Sequence, residues 1–195
     1  MTHLSTCTDE QLVDMYAQGN DEAFDEILDR YQDKVFNYIL YLVHDEDIAN
    51  DIFQDTFAKV ILTIRAGKYV DSGKLGAWLT RIAHKLVIDH YRGTTNSNCV
   101  VSDDTAVQLA LGTMQYSVGS IENIMVHNQT LDDVRQYMAK LPFTQREVVY
   151  MRYYQNLSFK EIADITGVSI NTSLGRMRYA LINIRRMMNR DGFYF

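Results

Sequence analysis

Residues 157–178 read Leu-Ser-Phe-Lys-Glu-Ile-Ala-Asp-Ile-Thr-Gly-Val-Ser-Ile-Asn-Thr-Ser-Leu-Gly-Arg-Met-Arg. Two helix starts lie in this stretch. Ser158-x-x-Glu161 is a capping box: the serine oxygen accepts from an orphan backbone N–H, and the glutamate reaches back to the serine's own N–H. Ser169 is the second cap. Between them, Ile162 and Ile165 predict the inner face of a short helix, and Ala163 allows a close helix crossing. Gly167 can take the positive φ of a tight turn, with Val168 plugging the corner. A short helix, a glycine turn and a second helix are what a DNA-reading helix-turn-helix needs. In the second helix, Met177, Leu181, Ile184 and Met188 recur at helical spacing and predict a buried stripe. Asn171, Thr172, Gly175, Arg176 and Arg178 fall mainly outside it. Asn and Arg can bind base edges bidentately, Arg and Thr can bind phosphate, and a glycine lets DNA come close. Leu174 on that face could touch a thymine methyl.

Upstream, Thr144-x-x-Glu147 reads as a further capping box, entered through Pro142. Ile121, Ile124, Met125, Leu131, Val134, Tyr137, Met138 and Leu141 precede it with a helical period. Residues 9–92 also read as helix nearly throughout. Apolar stripes run through Leu12, Met15 and Tyr16, through Phe24, Ile27, Leu28, Tyr31, Val35 and Tyr38, and through Ile48, Ile52, Phe57, Val60, Ile61 and Ile64. Asn20, before Asp21-Glu22, is an expected N-cap. Asp71-Ser-Gly is a break; Leu75, Leu79, Ile82, Ala83, Leu86 and Val87 then mark a helix ending near Arg92-Gly93. The 27 residues from Thr94 to Ser120 show no sustained period and contain no Lys or Arg. A structureless segment of that length is uncommon inside one compact domain. The expected fold is all-α: two small helical domains, 1–93 and 121–195, joined by a flexible linker over 94–120, with the helix-turn-helix in the second. A single proline in 195 residues agrees with long uninterrupted helices.

The net charge of −6 looks wrong for a DNA binder, but its distribution does not. Residues 1–55 carry 2 basic and 14 acidic residues (−12), and residues 56–92 carry 7 and 2 (+5). Residues 93–130 carry 0 and 3 (−3), and residues 131–195 carry 10 and 6 (+4). Two basic blocks held apart suggest two nucleic-acid contacts on one chain. In the first of them, Trp78, Arg81, Lys85, Asp89 and Arg92 are spaced by 3 or 4 and form one helical stripe. Cations along a stripe can follow a strand's phosphates. Trp78 is expected to be partly buried between helices. Cys7 and Cys99 belong to no CxxC pair and read as free thiols of a reducing cytoplasm. No apolar run approaches the roughly 20 residues that span a membrane, and the acidic, polar N-terminus does not read as a signal peptide.

Taken together, Leu141-Pro-x-x-x-Arg146-Glu-Val-Val, Leu157-Ser-x-x-Glu161-Ile-Ala and Gly167-Val-Ser-x-Asn-Thr-x-x-x-Arg176-Met-x-x-Ala180-Leu-x-x-Ile-Arg185 resemble the promoter-reading C-terminal domain of bacterial sigma factors. The extracytoplasmic-function (ECF) group is the most similar. Ala49-Asn-Asp51-Ile-Phe-Gln54-Asp55-Thr-Phe57 resembles the sigma segment that docks on the polymerase clamp. Ala77-Trp78-Leu79-Thr-Arg81-Ile82-Ala83 through Asp89-His-Tyr-Arg92 resembles the helix that opens and holds the −10 element. The chain carries Lys85 where the family often has Asn, Ser173 where it usually has a buried aliphatic, and Leu174 where it often has Lys.

The resemblance implies contacts to core polymerase from Asp51, Gln54, Asp55 and Phe57, although Phe57 equally suits core packing. It implies −10 contacts from Trp78, Arg81, Lys85, Asp89 and Arg92, with a base pocket in the loop of Lys68, Tyr69 and Lys74. It implies −35 contacts from Ser158, Lys160, Asn171, Thr172, Gly175, Arg176 and Arg178. Core RNA polymerase and promoter DNA are then the partners and an anti-sigma factor is expected; no cofactor, metal or catalytic residue is implied. A helix-turn-helix regulator acting without polymerase would need a dimer and a ligand or receiver domain, and the N-terminal half lacks a receiver's alternating strands. An enzyme is disfavoured by the absence of HExxH, a phosphate-cradling loop or a nucleophile motif. His84 and His90 are six residues apart, on different helix faces, with no third ligand cluster.

Overall fold

The computed structural model describes residues 4–70, 73–95 and 136–192, and every regular element among them is helical. After a 3-10 turn at Leu4–Thr6 come α1 (Asp9–Ala17), α2 (Asp21–Val43), α3 (Glu46–Arg65) and α4 (Leu75–Thr95). They are followed by α5 (Phe143–Tyr153), α6 (Phe159–Thr166) and α7 (Ile170–Arg190). The chain divides into two compact units between His90 and Tyr91, within the last turns of α4. The expected linker beyond residue 95, the helical pattern from Ile121 to Val134, and Cys99 lie outside the described residues.

In the first unit α1, α2 and α3 pack on one another. The 3.6-residue stripes meet there: Leu12 and Tyr16, Ile27, Tyr38 and Ile39, and Ile52, Val60 and Ile64 are all buried. Thr8 and Gln11 close a capping box on α1, and the Asp45 side chain caps α3 by accepting from the Ile48 N–H. Asn20 occupies the N-cap position of α2, but its side chain makes no capping bond; the acidic first turn Asp21-Glu22 complements the helix dipole there. Arg30 fastens the N-terminal turn to α2. Its guanidinium donates to the carbonyls of Leu4, Ser5 and Cys7 and to Asp9 and Glu26. Leu75, Leu79, Ala83 and Val87 bury one stripe of α4, and Tyr38 Oη lies 3.0 Å from His84 Nδ1, tying α4 to α2. Gly76 is required for this seat, since a Cβ there would come within 2.9 Å of the Tyr31 ring.

In the second unit α5, α6 and α7 pack pairwise. Ser158 and Glu161 form the expected capping box, and the Ser169 Oγ accepts from the Thr172 N–H at 3.1 Å. Gly167 ends α6 in the left-handed region at φ 69°, and Ile162, Ala163 and Ile165 are buried. Two expectations are corrected. Thr144 and Glu147 form no capping box: α5 begins at Phe143 with Pro142 in the N-cap position, which places Glu147 one turn inside the helix. The buried stripe of α7 is Ser173, Met177 and Ala180, whereas Leu181 is 47 % exposed. Small residues at a close crossing are invisible to a pattern that counts only large apolar side chains.

Candidate nucleic-acid interface

The turn at Gly167 presents the first turns of α7 away from the unit's core. Asn171, Thr172 and Arg178 are exposed there, and Lys160 is exposed on the first turn of α6. Ser158 is half-buried with its Oγ committed to the capping box. A Cβ added at Gly175 would meet nothing within 4 Å, so no protein neighbour requires glycine at that place. Leu174 and Leu181 lie along the same side as Arg178 and Arg185, lining a shallow groove with Met177 and Ile182.

Arg176 departs from the expected exposed position. Its side chain is 21 % exposed, and Nη1 donates to Glu147 Oε1 at 3.0 Å; the Glu147 side chain is 3 % exposed. Arg146, the residue before that glutamate, is buried as well. Burial pushes the Glu147 carboxyl up from its ordinary 4.5 to about 8, against the pull of the Arg176 and Arg146 guanidiniums. A neutral carboxyl still offers Oε1 as an acceptor, so the bond from Arg176 survives in either protonation state. Glu147 is the site residue that sequence reasoning missed. Its signal was an acid four residues from each of two buried apolar residues, Phe143 and Met151.

On α3, on α4 and in the loop between them, all seven basic residues between 56 and 92 are exposed: Lys59, Arg65, Lys68, Lys74, Arg81, Lys85 and Arg92. Arg81, Lys85 and Arg92 share the solvent side of α4, and Trp78 is half-buried at its start. The Trp78 ring meets the half-buried Tyr69 ring edge-on, with centroids 4.6 Å apart, so the loop before α4 and its first turn are brought together. Asp89 is exposed at the edge of the same stripe. With Asp51, Asp55, Ile48, Ile52, Leu86 and His90 it lines a groove between α3 and α4. Asp51, Gln54 and Asp55 are exposed on α3. Phe57 is not available for contact: it is 5 % exposed, packed against the rings of Phe53 and Phe24, so the geometry gives it a packing role. Among the described residues no three His, Cys, Asp or Glu side chains gather as a metal site, and no helix is long and apolar enough to cross a membrane.

Two family models match this chain, Sigma-70 region 2 over residues 27–96 and Sigma-70, region 4 over residues 131–173. The RNA polymerase sigma factor YlaC of Bacillus subtilis (strain 168) is 28 % identical over 163 residues, spanning 82 % of this chain and 90 % of that protein. The ECF RNA polymerase sigma factor SigW of the same organism is 27 % identical over 176 residues, 88 % of this chain and 91 % of the relative. The chain belongs to the ECF group of the sigma-70 family. Its fold agrees with a solved structure, the sigma factor RpoE in complex with the anti-sigma factor NepR from Bartonella quintana. The TM-score is 0.60 at 19 % identity, covering 85 % of this sigma factor and 96 % of that chain. In this sigma factor the region 2 match takes in α3 and the cationic side of α4, and the region 4 match takes in the turn at Gly167.

Proposed function

We propose that this ECF sigma factor uses its two cationic surfaces for different states of one promoter. The carrying observation is the open face of α7: a capped start at Ser169, exposed Asn171, Thr172 and Arg178, and a glycine at 175 with empty space before it. Such a face suits the major groove of a duplex −35 element, with Lys160 and the helix starts after Ser158 and Ser169 beside it. The α4 surface suits an opened strand. Arg81, Lys85 and Arg92 follow its phosphates, and the Tyr69–Trp78 pair, flanked by Lys68 and Lys74, is the place for an unstacked −10 base. Asp51, Gln54 and Asp55 on α3 form the docking face for core RNA polymerase, and Asp89 stands between that face and the cationic one.

The two working domains are residues 1–93 and 121–195, with 94–120 as the connection. The protein has no catalytic chemistry of its own and works in the cytoplasm, where its partners are core polymerase and promoter DNA. An anti-sigma factor, such as the one bound to the Bartonella quintana RpoE, is its expected regulator. The test is to mix the purified chain with core polymerase and transcribe fragmented genomic DNA in vitro. Co-elution with core and initiation at a shared pair of sequence elements are expected. A chain that neither co-elutes nor directs specific initiation would sink the proposal.

A further inference from the structure

The reading helix needs more than a correct sequence on its exposed face; it must sit at a fixed angle and depth on the rest of its unit. Beyond apolar packing, side-chain bonds join α7 to α5, among them Asn183 to Gln145 and, near the reading end, Arg176 to Glu147. The second is anchored in the interior, because Glu147 is buried and belongs to the buried face of α5. For Arg176 to reach DNA it would have to leave Glu147, whose side chain is enclosed by the unit's core. Leaving it would strip a buried acceptor of its donor, which is costly whether the carboxyl is charged or neutral.

We propose that Glu147 and Arg176 are positioning residues for promoter reading. The bond between them sets the reading end of α7 on α5, and Arg176 acts through that bond and not by touching DNA. The inference rests on the reading of α7 as the duplex-facing helix. It separates Arg176 from Arg178, two residues further on, which is exposed and points to solvent. It also gives Glu147, which no DNA can reach, a role in sequence discrimination.

The test uses holoenzyme assembled from core polymerase and the full chain. The probe is a duplex promoter fragment carrying the upstream element that the wild-type holoenzyme selects from a random library, against the same fragment with that element scrambled. The variants are R176M, E147M, the double variant E147M/R176M, and E147Q, which keeps the acceptor oxygen. Each is first shown to unfold cooperatively. Replacing a buried pair by apolar residues of similar volume is often neutral or stabilising, so the double variant is expected to fold.

R176M, E147M and the double variant should each lose discrimination by about tenfold, the scale of one mismatched base pair. The slope of log affinity against log salt should stay as in the wild type, and E147Q should discriminate like the wild type. Two results would overturn the inference. If E147M keeps discrimination while R176M loses it, or if R176M lowers the salt slope by about 0.9, the value of one phosphate contact, then Arg176 touches DNA. If the folded double variant discriminates like the wild type, the pair only packs. A wild-type holoenzyme that selects no upstream element would overturn the reading of α7 itself, before any variant is compared.

Discussion

At the scale of the residue, the second unit stores an unusual proton. Glu147 is held by Arg176 and lies beside buried Arg146, yet burial outweighs both guanidiniums and lifts its carboxyl to about 8. The unfolded chain has the ordinary value of 4.5. Between those two pH values the folded state keeps a proton that the unfolded state releases, so stability falls as pH rises through the window and levels off above it. The urea midpoint of the transition that reports the second unit should therefore decline between pH 5 and 8, and E147Q should flatten that decline. A midpoint that rises over the same range in the wild type, or an E147Q profile parallel to it, would show that the carboxyl is already ionised throughout. Ser173 is a further buried polar residue, fully enclosed, and among the described residues its Oγ has no hydrogen-bond partner. It stands where the family usually keeps an aliphatic, and nothing in the structure explains the hydroxyl.

At the scale of the element, two glycines in the helix-turn-helix have opposite reasons. Gly167 has φ 69°, and an added Cβ would meet nothing. G167A should therefore cost about 1–2 kcal/mol from the left-handed backbone alone, read as a lower urea midpoint. Gly175 is helical with equally empty space around it, so G175A should raise stability by up to about 1 kcal/mol through helix propensity. If the open face at 175 receives DNA, that same substitution should weaken binding to the upstream element. Unchanged binding would mean that DNA does not approach there. The contrast marks how much the sequence disclosed. Ser158, Gly167 and Ser169 were legible because caps and turns are decided by residues within three or four positions. Thr144-x-x-Glu147 carried the same local signature and misled, since Glu147 is claimed by Arg176, 29 positions away, and only the folded core brings them together. Leu181 misled for a related reason: spacing identified a helical stripe but could not tell which side met α5 and α6, where Ser173 and Ala180 allow the close crossing.

At the scale of the whole molecule, charge is sorted by task. The acidic excess of the first 55 residues and the basic excess of the next 37 meet on neighbouring helices, α3 and α4. On α3, Asp51 and Asp55 are exposed and line the groove, and on α4, Arg81 and Lys85 are exposed. None of the four is buried, so changing them should leave stability within about 0.5 kcal/mol and expose their functional roles separately. D51K/D55K should weaken co-elution with core polymerase by tenfold or more, by about the effect of placing like charges across a complementary interface. R81A/K85A should co-elute normally yet hold an opened −10 strand more weakly, with the salt slope lowered by about 0.7 for each lost single-strand contact. The reciprocal pattern is the decisive one, because general damage to the first unit would reduce both activities in both variants. Should D51K/D55K join core as well as the wild type, the acidic groove is not the docking face, and the separation of charge would then serve to keep α3 away from DNA.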